Sequence, residues 1–298
     1  MAGALSEIPG LGGDERVHVF RRDFADMAEF AGMTVDMYAV ISDRYVVICD
    51  TLLSPTDMQD VVDWASDALQ AGRELLVVNS HADWDHCWGN GYFWESAPII
   101  AHQLCRVRMQ SEEARRELAD FQSRYALFHD VELTPPMLTF TDRLTISGGD
   151  LTLELFPAPG HSPDHIAAWL PELRLLLAFD AVEFPLPVIA NAESVDAMFA
   201  TLERFRDLRP RRVLCSHGNS PDLVNRNLAY LREIEARCRT LLHTHQPTDA
   251  EIEPDLIGFP FSEVIDGISE PLDTAFYSQA HTNNIRAIMR WLLADRRL

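Results

Sequence analysis

The sequence predicts a mixed α/β (α+β) domain followed by a C-terminal helical extension, and three observations carry that prediction. Short apolar runs alternate with amphipathic helical stretches from residue 17 to about 217. Each group of His and Asp with metal-binding potential falls just past the C-terminal end of one of those runs. Beyond Gly218 only helical periodicity remains. The expected division is therefore 1–220 for the α/β domain and 221–298 for the extension.

Residues 1–14 read as a loose lead-in. Strands are expected at 17–20, 35–41 and 45–49, with Ser42-Asp43-Arg44 as a hairpin turn between the last two. Thr56 suits a helix cap, and Met58, Val61, Val62, Trp64, Ala65, Ala68 and Leu69 fall on one face before Gly72 stops the helix. A strand follows at 75–78 and another at 98–101. The charged segment 102–129 reads as broken helix, with Arg115, Arg116 and Glu117 on its solvated face. Ser147-Gly148-Gly149-Asp150 is a strong hairpin signal between strands at 143–146 and 151–156. Strands at 166–170 and 173–179, an amphipathic helix at 193–208 and a strand at 212–215 complete the domain. Helices at 222–242 and 283–293 form the tail. The alternation fits two similar halves packed together.

The chain has 298 residues and a formal charge of −21, from 46 acidic and 25 basic residues, every one of the latter arginine. That balance argues against a nucleic-acid partner, which rewards a basic stripe. It leaves a small anionic substrate open, because bound divalent ions create their own positive field. No apolar run approaches a membrane span, so no membrane partner is expected and the cytoplasm is the default location. Five scattered cysteines do not form a disulfide framework.

The densest chemistry lies in Ser80-His81-Ala82-Asp83-Trp84-Asp85-His86, directly after the apolar run 75–78. On an extended backbone residues two apart point the same way. His81 and Asp83 can thus reach one point, and Asp85 and His86, past the bend, a second. One ion needs three or four protein ligands, so this stretch looks like half of a two-metal site. His161, Asp180 and His217, each just beyond an apolar strand, can supply the rest.

Together these residues resemble the metallo-β-lactamase superfamily, whose pattern is His-x-His-x-Asp-His, then a single His, an Asp and a last His. His81, Asp85 and His86 match the first element, His161 the second, Asp180 the third and His217 the fourth, over roughly residues 17–220. The resemblance implies a four-layer αββα sandwich and two divalent metal ions, zinc foremost, with iron or manganese as alternatives. It implies that His81, Asp83 and His161 hold the first ion and Asp85, His86 and His217 the second. Asp180 would bridge them, and Asp85 and Asp180 would take part in catalysis. The implied activity is hydrolysis of an ester, lactone, thioester or similar bond in a small-molecule substrate; a homodimer, formed through the tail, is a separate expectation. The departure is Asp83, which stands where the family has its second histidine. A carboxylate makes that site harder and more anionic and favours iron or manganese over zinc. A rival reading is therefore a carboxylate-rich diiron centre that reduces or senses oxygen or nitric oxide. The flavodiiron branch carries Glu there, together with a flavodoxin-like domain for which this chain has no room.

Neighbouring residues carry weaker expectations. His165 is expected to support the site rather than bind metal, Asp164 to orient a ligand imidazole, and Cys87 and Cys215 to pack. Trp84, Trp88, Tyr92, Phe93 and Trp94 fit a substrate pocket and a loop core equally well. His243, His245 and His281 lie in the tail, expected to be solvated, although His281 or Tyr277 could lean over the metals.

Overall fold

The computed structural model describes residues 4–269 and 271–295. The first half contains β1 (Leu5–Glu7), β2 (Val17–Asp23), β3 (Thr34–Ile41), β4 (Tyr45–Cys49), α1 (Pro55–Trp64), α2 (Ser66–Gln70) and β5 (Glu74–Val78). It continues through α3 (Trp84–Cys87), β6 (Ile99–His102), α4 (Gln103–Met109), α5 (Glu112–Arg124) and β7 (Leu138–Phe140). Its seven strands lie in sequence order, antiparallel through β4 and parallel from β4 to β7. The second half has β8 (Leu144–Ser147), β9 (Thr152–Pro157), β10 (Ile166–Leu170), β11 (Leu175–Leu177), α6 (Val195–Leu208) and β12 (Arg212–Leu214). These make a five-stranded sheet in the order β12-β11-β10-β9-β8. The chain then runs through α7 (Leu223–Leu242), α8 (Phe261–Val264) and α9 (Thr274–Asp295).

The central strands are buried on both faces, and alternation sorts their side chains between two cores. Tyr38 and Val40 of β3 face the second sheet and meet Leu155, Ile166 and Ala168 there. Met37 and Ala39, one position away, instead belong to the core that holds Met58 and Val61 of α1 and Phe121 of α5. On the far side, Ala167 and Trp169 of β10 join Met198, Leu202 and Phe205 of α6. Leu228, Leu231 and Ile234 of α7 and Ile285 and Ile288 of α9 belong to that same cluster. The result is the expected αββα sandwich, with the helices after residue 220 packed in its fourth layer. Fully burying one such aliphatic side chain is worth about 1.5–3 kcal/mol.

Several boundaries differ from expectation for physical reasons. The lead-in contributes β1, which pairs antiparallel with β2. Ser54, not Thr56, caps α1: its side chain accepts the Asp57 N–H at 3.4 Å, and Pro55 occupies the first turn. The helix breaks at Ala65 instead of running unbroken to Gly72. Strand β7, directly after Pro135-Pro136, gave no clear signal because two of its three residues are exposed. Helix α9 starts at Thr274 rather than 283, since Tyr277, Ala280 and His281 already pack inward. Among the described residues no helix is long and apolar enough to cross a membrane, and all five cysteines are free and buried.

Candidate metal centre

The seven candidate side chains converge at one end of the sandwich, between the two sheets. Both halves contribute. The loop after β5 delivers His81, Asp83, Asp85 and His86, and the last two ride on the single turn of α3. His161 follows β9, Asp180 sits in a short turn after β11, and His217 lies three residues beyond β12. Gly160 supplies a left-handed turn (φ +145°) before His161, where an added Cβ would lie 2.7 Å from Met198 Cα.

One oxygen is the common focus. Asp180 Oδ2 lies 3.1 Å from His86 Nε2, 3.3 Å from His217 Nε2, 3.7 Å from His81 Nε2 and 3.8 Å from His161 Nε2. On one side Asp83 Oδ2 is 3.3 Å from both His81 Nε2 and His161 Nε2. On the other, Asp85 Oδ2 is 3.3 Å from His217 Nε2, and Asp85 Oδ1 is 3.6 Å from His86 Nε2. The groups His81–Asp83–His161 and Asp85–His86–His217 each bring three donor atoms within 4.8 Å of one another, and Asp180 stands between them.

The far nitrogens of His81, His86 and His217 explain why their Nε2 atoms point inward. His86 Nδ1 is 3.0 Å from the buried Asp50 carboxylate, to which it can only donate. Ser80 Oγ donates to the same Asp50 oxygen at 2.8 Å and so accepts from His81 Nδ1 at 2.9 Å. His217 Nδ1 donates to the Thr34 carbonyl at 2.8 Å, and His161 Nδ1 faces Glu183 Oε1 at 3.4 Å. A proton fixed on Nδ1 leaves the Nε2 lone pair free for a cation. His81 Nε2, His86 Nε2 and Asp180 Oδ1 are buried and make no hydrogen bond. Native structures rarely leave buried polar atoms unpaired, and metal ions at the two groups would satisfy both imidazole nitrogens. The donor set fits divalent ions.

Without an ion the charges lean on one another. Burial disfavours the charged form of His86, His161 and His217, yet Asp180 with Asp85 or Asp83 outweighs it and holds all three well above the ordinary imidazole value. Burial likewise works against ionised Asp83 and Asp180, and the imidazoles pull both well below the usual carboxylate range.

The supporting residues divide by expectation. His165 does support the site: its Nε2 accepts the Asp180 N–H at 3.2 Å, and burial together with His81 and His161 keeps it neutral. Asp164 reaches no imidazole among its hydrogen bonds; its carboxylate accepts the Ala82 N–H at 2.8 Å and bonds Arg108. Trp84 and Trp88 pack with Phe121 and Phe128 as loop core. His281 is buried and held by Tyr230 and the Phe259 carbonyl rather than solvated, whereas His243 and His245 are exposed. Tyr277 lines a cavity of about 400 Å³ that opens beside His217 between Met33, Phe184 and Leu272. A larger cavity of about 580 Å³, between residues 206–214 and 219–225, is lined by none of the seven side chains. Asp50, Glu183 and Arg108 were not anticipated. Asp50 carried a usable signal, since it too follows an apolar strand.

Residues 32–217 match the family model described as the metallo-beta-lactamase superfamily. The fold resembles a metallo-beta-lactamase family protein from Thermus thermophilus, with a TM-score of 0.65, 16% identity and 94% of each chain covered. It also resembles a metallo-beta-lactamase from Pontibacter korlensis, with a TM-score of 0.55, 17% identity, and 76% of this chain and 97% of that one covered. The metallo-beta-lactamase FIM-1 from Pseudomonas aeruginosa, solved in its mono-zinc form, aligns with a TM-score of 0.53 and 16% identity over 76% of this chain and 93% of that one. Likeness at such identity speaks to fold alone. No curated protein matches the sequence.

Proposed function

The chain belongs to the metallo-β-lactamase superfamily, and on that premise we propose that it is a metal-dependent hydrolase acting on a small-molecule ester, lactone, thioester or similar bond. The observation that carries the reading is the convergence of four imidazole Nε2 atoms on Asp180 Oδ2. His81, Asp83 and His161 would hold one divalent ion and Asp85, His86 and His217 a second, with Asp180 between them. When bound, such ions lower the pKa of water to about 7 and polarise a carbonyl oxygen.

The protein's own groups supply the rest. The Nδ1 hydrogen bonds of His81, His86 and His217 aim each Nε2 inward and make it the nitrogen that gives up its proton to a cation. Asp85, ionised beside His86 and His217, is placed to orient the attacking nucleophile. The mostly apolar cavity beside His217 suits the uncharged part of a substrate. Zinc is the first choice of ion, because four imidazoles dominate the donor set. Five free, buried cysteines favour a reducing, cytoplasmic setting.

The test is metal content by inductively coupled plasma mass spectrometry after expression in medium holding zinc, iron and manganese, followed by ester, lactone and thioester substrates. About two zinc ions per chain with hydrolysis of one class is the expected result. About two irons, with visible absorption that bleaches on reduction, would replace hydrolysis with oxygen or nitric-oxide chemistry.

A further inference from the structure

We infer that Arg108 sets the metal preference of the first position, by occupying one oxygen of Asp83 and leaving that carboxylate a single-atom donor. The inference rests on the reading of a metal site at His81, Asp83 and His161.

Arg108 reaches the site from α4. Its Nη2 donates to Asp83 Oδ1 at 2.6 Å, and its Nη1 donates to Asp164 Oδ1. Asp164 is fully buried, and its other oxygen accepts the N–H of Ala82, the residue between His81 and Asp83. The planar guanidinium is therefore pinned at two points in a fixed orientation, as a lysine ammonium could not be. Only Asp83 Oδ2 remains, and that is the atom 3.3 Å from both His81 Nε2 and His161 Nε2.

The consequence is electronic. A carboxylate with both oxygens free is a hard donor that can bind through two atoms and brings a full negative charge, which favours manganese or iron. With Oδ1 held by Arg108, Asp83 offers one atom, and the guanidinium, shared with Asp164, offsets part of its charge. Imidazole likewise offers one atom. Arg108 thus gives Asp83 the denticity of the histidine it stands in for and a reduced share of anionic charge, and the first position keeps a bias towards zinc.

The test compares zinc and manganese dissociation constants, by chelator competition, for the unaltered protein and an Arg108→Met, Asp164→Asn variant. The paired change avoids leaving the buried Asp164 carboxylate unpaired and keeps an acceptor for Ala82 N–H. Outer partners of metal ligands are generally worth 10–100-fold in affinity. Zinc binding at the first position should weaken by that factor while manganese binding holds or tightens. Visible absorption of the cobalt(II)-loaded variant should fall as Asp83 engages through both oxygens. Adding Asp83→His to the variant should restore zinc preference. Equal losses of zinc and manganese with an unchanged cobalt spectrum would show Arg108 to be only a structural tie and overturn the inference. Binding of no metal by the unaltered protein would instead overturn the metal-site reading beneath it.

Discussion

Replacing Asp50 with Asn should strip affinity from both metal positions while leaving the fold intact. Asp50 Oδ1 accepts the Ser80 N–H at 2.7 Å, and Oδ2 accepts from Ser80 Oγ and His86 Nδ1. In the variant the amide oxygen must stay against Ser80 N–H, since the reversed amide leaves that buried donor unpaired at a cost of about 1–3 kcal/mol. The NH₂ group then faces His86 Nδ1 and Ser80 Oγ. His86 must accept at Nδ1 and carry its proton on Nε2. Ser80, now accepting from the amide, turns its hydroxyl proton to His81 Nδ1 and drives the same switch there. Neither Nε2 can then bind a cation. Losing one such orienting contact costs about 10–100-fold in metal affinity, or about 1.4–2.7 kcal/mol, and here each position loses one. The backbone tolerates the change, because Asp50 has φ +68° and Asn adopts that region readily. The assay is metal stoichiometry after chelator titration, with a thermal melt of the metal-free protein to show that folding survives. Wild-type affinity at both positions would refute the tautomer argument.

Four further outcomes are expected. Metal binding should release protons and tighten as pH rises, because His86, His161 and His217 hold theirs well above pH 6.5 in the ion-free chain; calorimetry in buffers of different ionisation enthalpy measures the release. The stability these groups give the ion-free chain has the opposite trend at high pH. The raised imidazoles contribute fully below 6.5 and lose their contribution as pH climbs through their folded values, while Asp83, Asp85 and Asp180 contribute above about 3.8 and lose theirs as pH falls. Urea midpoints of the ion-free chain should therefore peak between those limits. Gly89→Ala should destabilise by about 1–3 kcal/mol or more, since the new Cβ would fall 1.9 Å from the Thr51 carbonyl oxygen; a urea midpoint equal to wild type would contradict that close approach. Ile288→Ala, at a fully buried α9 position, should cost about 2–5 kcal/mol; a cost below about 1 kcal/mol would mean that α9 is no part of the fourth layer.

The sequence was most legible where apolar residues run unbroken between turn signals. The strands at 45–49 and 166–170 have the expected limits, and all seven candidate side chains lie together because each sits past a strand end. Strand β7 and the true start of α9 depended on contacts made far along the chain, which local periodicity does not encode. Glu183 carries no signal in the sequence, because its proximity to His161 comes from the turn at Asp180 and not from spacing. Arg108 could not be told from the other arginines of 102–129, since only the packing of α4 against the loop at 161–165 singles it out. Asp164 differs from expectation for the same reason: its partners lie 82 and 56 positions away.

The seam between the sheets has a consequence for the chain as a polymer. Positions 81 and 161 are 80 residues apart, and 86 and 217 are 131 apart. An ion shared across either pair would close a loop of that length and remove unfolded conformations, as a disulfide would, by roughly 5 kcal/mol from loop-closure entropy. Such a cross-link needs no cysteine and persists in a reducing compartment. Metal supply would then set how long the folded chain survives proteolysis, apart from any reaction it performs.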